Sequence, residues 1–273
     1  MDLKCIDFFA GIGAWELASS LVNPISQVKF RTIEFVEINP QAQQVLRSHF
    51  PGIPIHSDVR SYNATPHKAD VYFVSFPCTN TSAAGKKEGL AGNESGLWFE
   101  ALRCIIIGKP TFVIIENPVG LIDRGLRAIL GALRMAGYQS EVEVISASEC
   151  GAPHERKRVF VIAHKHDLRI RQRQNFCCWT QQIGSHLTIA KSFVSYPETQ
   201  PRTVRVDARV PAYLGGISVD NWWKFNQPPI SAGIEPRTPG RRECVSLYGR
   251  SIVPQCAAIA LQRVQFLASL LLK

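Results

Sequence analysis

The sequence of 273 residues lacks several features that would assign it to a specialised class of protein. Its eight cysteines include no C-x-x-C pair, so their spacing does not match a zinc site. No apolar run is long enough to cross a bilayer, because the C-terminal stretch QRVQFLASLLLK is too short and too polar. The N-terminus shows no basic segment followed by an apolar one, so no signal peptide is expected. We therefore expect no metal, no membrane segment and a reducing, cytoplasmic location.

Positive charge is in excess and is unevenly distributed along the chain. The formal net charge is +9, and residues 166–242 carry 11 Lys and Arg against 5 Asp and Glu. That segment alone accounts for a net charge of +6, which leaves +3 for the rest of the chain. A basic surface attracts polyanions. The composition therefore favours nucleic acid as a partner, contacted mainly through this segment.

Short apolar runs alternate with amphipathic stretches over the first 165 residues. Runs typical of strands buried on both faces occupy residues 3–9, 30–38, 69–76 and 111–116. Segments with the apolar spacing of helices lie at 14–22, 40–50, 96–107 and 124–137. This alternation predicts βαβ units and an α/β fold with a mostly parallel sheet.

The pattern changes after the last of these helices. Residues 138–150 and 156–165 both read as strands with no helix between them, which predicts an antiparallel pair at the edge of the sheet. Residues 167–250 follow, largely without sustained periodicity, and we expect them to form a small irregular lobe. From Ser251 to the end, the apolar periodicity predicts a long helix that packs on the first domain. The expected domains are thus 1–166 with 251–273, and 167–250.

A glycine-containing turn joins the first strand to the first helix. Gly11 and Gly13 permit a tight turn and a close approach of a ligand to the backbone, although Glu16 replaces the third glycine of the dinucleotide fingerprint. Glu37 follows the second strand, where a carboxylate can accept hydrogen bonds from ribose hydroxyls. Asp58 follows a short third apolar run, at a strand end beside the expected adenine site of such a cofactor. Together these strand ends predict a cofactor of the nucleoside type.

A second group of reactive residues lies at later strand ends. Cys78 follows Pro77 directly after an apolar strand, in a loop of small polar residues, where a half-buried structural thiol is the plainer alternative. Glu116 ends the next strand. Arg156 and Arg158 precede the last strand and, being two residues apart, point to the same side of an extended backbone. We expect these side chains to meet at one edge of the sheet.

The order of these motifs resembles that of the cytosine-5 DNA methyltransferases. The family motifs are matched by FAGIG at 9–13, PCTNTS at 77–82, Glu-Asn at 116–117, HERKR at 154–158 and GRSIVP at 249–254. The resemblance implies a Rossmann-like class I methyltransferase sheet, with 167–250 as the target-recognition region. It also implies that S-adenosylmethionine is the methyl donor, that S-adenosylhomocysteine is the product, and that double-stranded DNA is the substrate of a monomeric prokaryotic or viral enzyme.

The resemblance also implies a role for each matched residue. Cys78 corresponds to the nucleophile that adds to C6 of cytosine, so that C5 can take the methyl group. Glu116 corresponds to the residue that contacts N3 and the exocyclic amine, and Arg156 and Arg158 support the base and the catalytic loop. A thiol cannot reach a base inside a duplex, so the cytosine must be flipped out. The residues implied at the cofactor site are Phe9, Ala10, Gly11, Ile12, Gly13, Glu37, Ile38, Asp58, Val59, Pro77, Leu97 and Ser251.

Three positions depart from the family pattern, and three alternative functions remain open. His154 replaces a glutamine, Arg250 replaces an asparagine, and Pro118 replaces the commoner valine. An RNA cytosine methyltransferase on the same scaffold is one alternative, which the basic region disfavours. A DNA-binding protein without catalysis is another, which the intact Cys78 and Glu116 disfavour. A cysteine hydrolase leaves the other motifs unexplained.

Overall fold

The computed structural model describes residues 1–77, 96–152, 155–172, 175–192, 247 and 251–272. Within these ranges, seven strands form one sheet in the order β3-β2-β1-β4-β5-β7-β6. The strands are β1 Asp2–Phe8, β2 Lys29–Val36, β3 Ile55–His56, β4 Val71–Val74, β5 Phe112–Pro118, β6 Tyr138–Ile145 and β7 Arg158–Lys165.

The sheet is mostly parallel, as the alternation predicts. β1 pairs in parallel with β2 and β4, and β3 and β5 extend this arrangement on the two sides. β7 lies between β5 and β6 and is antiparallel to both. The expected antiparallel pair at the edge is confirmed, with β6 as the outermost strand.

Helices cover both faces of this sheet. The α-helices of the described residues are α1 Ala14–Val22, α2 Pro40–His49, α3 Leu97–Gly108, α4 Arg127–Met135, α5 Trp179–Ser192 and α6 Pro254–Ser269. Helices α1, α5 and α6 bury one face, and α3 and α4 bury the other. The bounds of α1–α4 and α6 agree with the predicted helices to within a few residues, except that a π-helical turn, Ile122–Leu126, precedes α4. Helix α5 was not predicted, because it lies in the region that we expected to be irregular. The α/β fold class is confirmed.

Side chains alternate between the two cores along the central strands. On β4, Val71 and Phe73 belong to the α1 side, whereas Tyr72 and Val74 belong to the α3 side. All four are fully buried. Because successive strand residues point to opposite faces, a strand covered on both sides must be apolar throughout. This is why the central strands read as continuous apolar runs rather than as alternating ones.

The C-terminal helix α6 packs against α1 and α5, and nearly all of its side chains are buried. Its first residue is Pro254, at a position where the missing N–H is tolerated. The described part of the expected recognition region includes α5, which packs on α6 with Trp179 and Ala190 buried. The division of the chain at residues 167 and 250 stays a prediction.

Two kinds of feature are absent from the described ranges. No helix there has the length and apolarity needed to span a bilayer. In the same residues, no group of three or more His, Cys, Asp and Glu side chains is arranged to hold a metal ion.

Candidate active site

The loop after β1 is shaped by positive backbone angles and by a carboxylate. Gly13 has φ +84°, and a Cβ there would lie 2.4 Å from the ring of Phe50, so only glycine fits. Gly11 has φ +57°, and its N–H donates to Glu37 Oε2 at 2.8 Å. The other oxygen of Glu37 accepts from Asn39 N at 2.7 Å, so this buried carboxylate joins the glycine loop to the start of α2.

The turn after β3 presents a second carboxylate. Asp58 caps a short 3₁₀ turn, Val59–Ser61, by accepting from Arg60 N at 2.9 Å. The Arg60 guanidinium also contacts both carboxylate oxygens, with Nη2 2.9 Å from Oδ2. The hydrogen bonds from Arg60 hold the pKa of Asp58 below its usual value. Asp58 is therefore a carboxylate at neutral pH, ready to accept from an amine.

Both carboxylates open into one cavity of about 540 Å³ along the carboxyl edge of the sheet. This volume lies within the range of sites for small molecules and cofactors. Thirteen of the sequence-predicted site residues line it: Phe9, Ala10, Gly11, Ile12, Glu37, Ile38, Asp58, Val59, Pro77, Leu97, Glu116, Arg158 and Ser251.

Other predicted positions lie elsewhere. Gly13 shapes the turn without lining the cavity, and Arg156 does not line it either. Cys78, His154 and Arg250 lie outside the described residues.

A buried ion pair occupies the β5 end of the cavity. Arg158 Nε lies 2.9 Å from Glu116 Oε1, and the side chains are 15% and 7% exposed respectively. Burial raises the pKa of Glu116 above its ordinary value, although Arg158 and Arg156 oppose this shift. Burial thus shifts Glu116 toward the protonated form, which can donate to a ring nitrogen, whereas the pairing with Arg158 favours the carboxylate.

Two hydrogen bonds tie this ion pair to distant segments. Arg156 Nη2 donates to Ser251 O at 2.7 Å and thereby joins the HERKR segment to the start of the C-terminal motif. Asn117 Nδ2 donates to Phe76 O at 3.0 Å and fixes the backbone just before Pro77. The end of β5 is thus bonded to the strand that leads to Cys78.

Sequence reasoning did not select several residues that build the cavity. They are Asn39, Arg60, Ser75, Leu247 and Ile252, all of which line it. Asn39 caps α2 by accepting from Gln41 N and Ala42 N, and the Asn-Pro dipeptide before an amphipathic stretch was a usable sign of this cap. Ser75 accepts from Trp15 Nε1 at 3.1 Å and so joins the end of β4 to α1, a contact for which the sequence holds no local sign.

The fold and the cavity together define an α/β protein of the class I methyltransferase type, with acidic side chains along the carboxyl edge of its sheet. The family model for the C-5 cytosine-specific DNA methylases matches residues 3–210, which is most of the chain. The chain therefore belongs to the C-5 cytosine-specific DNA methylase family, as its motif order predicts.

Individual relatives support this family at moderate identity. The type II methyltransferase M.NlaX of Neisseria lactamica is 29% identical over 201 residues, which cover 71% of this chain and 61% of that protein. The type II methyltransferase M2.BsuMI of Bacillus subtilis is 32% identical over 169 residues, covering 59% of this chain and 42% of that protein. The chain thus matches less than two thirds of the length of these relatives.

Solved structures support the fold. The Dnmt2 methyltransferase of S. pombe matches with a TM-score of 0.59 at 15% identity and covers 98% of both chains. The methyltransferase EhMeth of Entamoeba histolytica matches with the same TM-score at 14% identity, over 96% of this chain and 97% of its own. At these identities the likeness concerns the fold alone.

Proposed function

We propose that the chain is a DNA (cytosine-5-)-methyltransferase that transfers a methyl group from S-adenosylmethionine to C5 of a flipped-out cytosine. One observation carries this proposal within the family. The Glu116–Arg158 ion pair lines the same cavity as the Glu37 and Asp58 carboxylates. A site for a base and a site for a nucleoside cofactor are therefore continuous, as methyl transfer between the two requires.

The described residues fit S-adenosylmethionine. Glu37 is buried and fixed by two backbone N–H groups, in a position to accept from ribose hydroxyls. Asp58 would accept from the adenine amine, and Ile38, which lines the cavity and is 58% exposed, would offer an apolar surface to the adenine ring. Leu97 and Ser251 also line the cavity. The bound cofactor supplies an electrophilic methyl group.

The chain's own residues activate the base. The Cys78 thiolate forms a bond to C6, and the electron pair of the C5–C6 double bond becomes available at C5 for the methyl group. Glu116 holds a proton at N3 and so stabilises the ring as its electron density shifts. Arg158 orients Glu116, and Arg156 fixes the segment that carries Arg158. Loss of the C5 proton and cleavage of the Cys78–C6 bond then restore the aromatic ring and the free thiolate.

Duplex DNA is the proposed substrate. The basic segment 166–242 supplies phosphate contacts, which position the protein without specifying sequence. The names of the relatives M.NlaX and M2.BsuMI describe type II methyltransferases, which suggests a role in restriction–modification. We further propose that the chain acts as a monomer in the cytoplasm of a prokaryotic or virus-infected cell.

A labelling experiment tests this function. The protein is incubated with S-adenosylmethionine labelled in the methyl group and with duplex DNA or tRNA, beside the variants Cys78→Ser and Cys178→Ser. Cys178 is exposed and does not line the cavity, so Cys178→Ser controls for the loss of a thiol, and its DNA affinity is measured as well because Cys178 lies within the basic segment. We expect label in DNA with the wild-type chain and Cys178→Ser, and none with Cys78→Ser.

Other outcomes decide between the alternatives. Label in tRNA alone would overturn the DNA substrate, and tight DNA binding without any transfer would indicate an inactive binder. Duplex DNA with 5-fluorocytosine tests the covalent step, because fluorine at C5 cannot leave as a proton does. A stable adduct with the wild-type chain, absent with Cys78→Ser, supports the mechanism.

A further inference from the structure

An arginine of helix α3 contacts the turn that carries Asp58, although it lies more than forty residues further along the chain. Arg103 Nη2 donates to Val59 O at 2.9 Å and is 3.5 Å from Arg60 O, while Nη1 donates to Tyr62 O at 3.1 Å. One guanidinium thus contacts three carbonyl groups of the turn, those of residues 59, 60 and 62. Arginine suits this arrangement because its planar group presents several donors in a fixed geometry.

The position of this guanidinium is itself fixed. Arg103 Nε donates to Glu100 Oε2 at 2.8 Å, one helical turn earlier on α3. The hydrogen bond to Glu100 also raises the pKa of Arg103, so the guanidinium keeps its charge at any working pH. The arginine is therefore oriented by its own helix before it contacts the turn.

The turn depends on such a contact because it belongs to no strand. Its inner side is anchored by Tyr62, whose hydroxyl donates to Glu34 Oε2 at 2.7 Å and whose ring meets Phe8 edge-on at 5.3 Å. Its other side presents Asp58 and Val59 to the cavity. A shift of the outer carbonyls would displace both residues, since they are adjacent in the same short turn.

Helix α3 also reaches the cavity with its own N-terminal end. Its first residue, Leu97, lines the cavity, and the next, Trp98, is buried against Phe76 with ring centroids 5.8 Å apart. Arg103 therefore connects two walls of one site: the turn with Asp58 and Val59, and the N-terminal turn of α3.

We propose that Arg103 is a positioning residue for the nucleoside half of the cofactor, because it holds the Asp58–Val59 turn against α3. This inference rests on the proposed function of the cavity as a cofactor site. It assigns Arg103 no contact with the reacting atoms. Its loss therefore weakens binding of any ligand that carries the adenosine group, and leaves DNA binding unchanged.

Calorimetry with the whole chain tests the proposal, with S-adenosylhomocysteine and adenosine as separate probes. The variants are Arg103→Met, which keeps the length of the apolar stem, and Arg103→Lys, which keeps the charge but not the planar group with several donors. Arg134→Met is the control, since Arg134 is an exposed arginine on α4, which does not line the cavity.

We expect Arg103→Met to lower the affinity for both ligands by the same factor, about tenfold. The affinity of Arg103→Lys should be intermediate, and that of Arg134→Met should stay within about twofold of the wild type. Under saturating cofactor, kcat of Arg103→Met stays near the wild-type value while KM for S-adenosylmethionine rises. A purely structural role would instead lower the melting temperature without this split between KM and kcat.

The outcomes separate this inference from the proposed function. A wild-type chain that binds no S-adenosylhomocysteine contradicts the cofactor site itself. A wild-type chain that binds it, with Arg103→Lys binding as tightly, overturns the positioning role alone. If Arg103→Met does not fold, Glu100→Gln serves in its place, because it removes only the charge that orients Arg103. Wild-type affinity in both Glu100→Gln and Arg103→Lys likewise overturns the proposal.

Discussion

At the scale of the residue, the site is built from carboxylates oriented by backbone N–H groups. Glu37 receives the N–H groups of Gly11 and Asn39, one on each oxygen. Such charge-assisted hydrogen bonds are stronger than neutral ones and fix the direction of the carboxylate. The same residue therefore closes the glycine loop and faces the cavity that we assign to the cofactor.

Glu37→Gln tests whether Glu37 binds the cofactor as well as closing the glycine loop, because glutamine keeps one acceptor oxygen and loses the charge. We expect affinity for S-adenosylhomocysteine to fall by about tenfold to a hundredfold, since hydrogen bonds to a charged group are lost. Calorimetry measures this change, with Glu143→Gln as a control on the edge strand β6. Unchanged affinity in Glu37→Gln would show that Glu37 only closes the loop.

At the scale of the element, one buried and one partly buried carboxyl group link β1 to α1. Asp7 of β1 is fully buried, and Glu16 of α1 accepts a hydrogen bond from the Thr32 hydroxyl of β2. Burial raises the pKa of Glu16 to about 7. Burial, with repulsion from Glu16 and Glu37, raises the pKa of Asp7 as well. The first βαβ unit therefore holds protons that its unfolded chain would release.

The pH dependence of stability follows from this difference. Between the ordinary carboxyl pKa near 4.5 and the value near 7, the folded chain binds more protons than the unfolded chain. Stability is then greatest below this window and decreases as the pH rises through it. We expect Asp7→Asn to flatten the decrease, because it removes one of the two carboxylates. Thermal unfolding at several pH values measures the difference between variant and wild type, and parallel curves would contradict the prediction.

A second link between elements joins α6 to β6 and α5. Arg263 is fully buried and forms two hydrogen bonds with Glu141, of 2.8 and 2.7 Å. It also donates to Gln182 of α5 and to Cys177 O. The guanidinium is thereby paired and hydrogen-bonded, as a buried charge must be. It attaches the start of the expected recognition region to α6 and β6.

Breaking this pair should be costly, because Glu141 would remain largely buried without its partner. We expect Arg263→Met to lower the free energy of unfolding by about 3–5 kcal/mol, as measured by urea denaturation. The double variant Arg263→Met/Glu141→Leu should lose less free energy of unfolding than the single variant, since it leaves no unpaired charge. Equal losses would mean that Arg263 contributes by packing rather than by pairing.

At the scale of the whole molecule, charge and cavity are the two relevant features. The net charge of +9 acts over the surface, whereas the cavity at the carboxyl edge encloses its ligand. Binding to duplex DNA releases counterions in proportion to the phosphates contacted, but binding of a cofactor in the cavity does not.

Salt should therefore affect the affinity for DNA differently from the affinity for the cofactor. A chain that neutralises about six phosphates loses on the order of a thousandfold in DNA affinity between about 50 and 200 mM salt. Affinity for S-adenosylhomocysteine should change little over the same range. Fluorescence anisotropy and calorimetry measure the two dependences, and a flat dependence for DNA would argue against phosphate contacts.

The sequence by itself determined the α/β alternation, the approximate bounds of α6 and of the helices between the strands, and the residues at each strand end, because these depend on local periodicity and on short motifs. Glu37, Asp58 and Glu116 were predicted in this way, and all three line one cavity. Only the tertiary structure decided how they are held. Arg158 meets Glu116 because β7 inserts beside β5 in antiparallel register, with Pro118 opposite Arg158. Arg103 likewise reaches carbonyls more than forty residues away. Such pairings depend on which distant segments bury each other, and no local pattern of side chains encodes that choice.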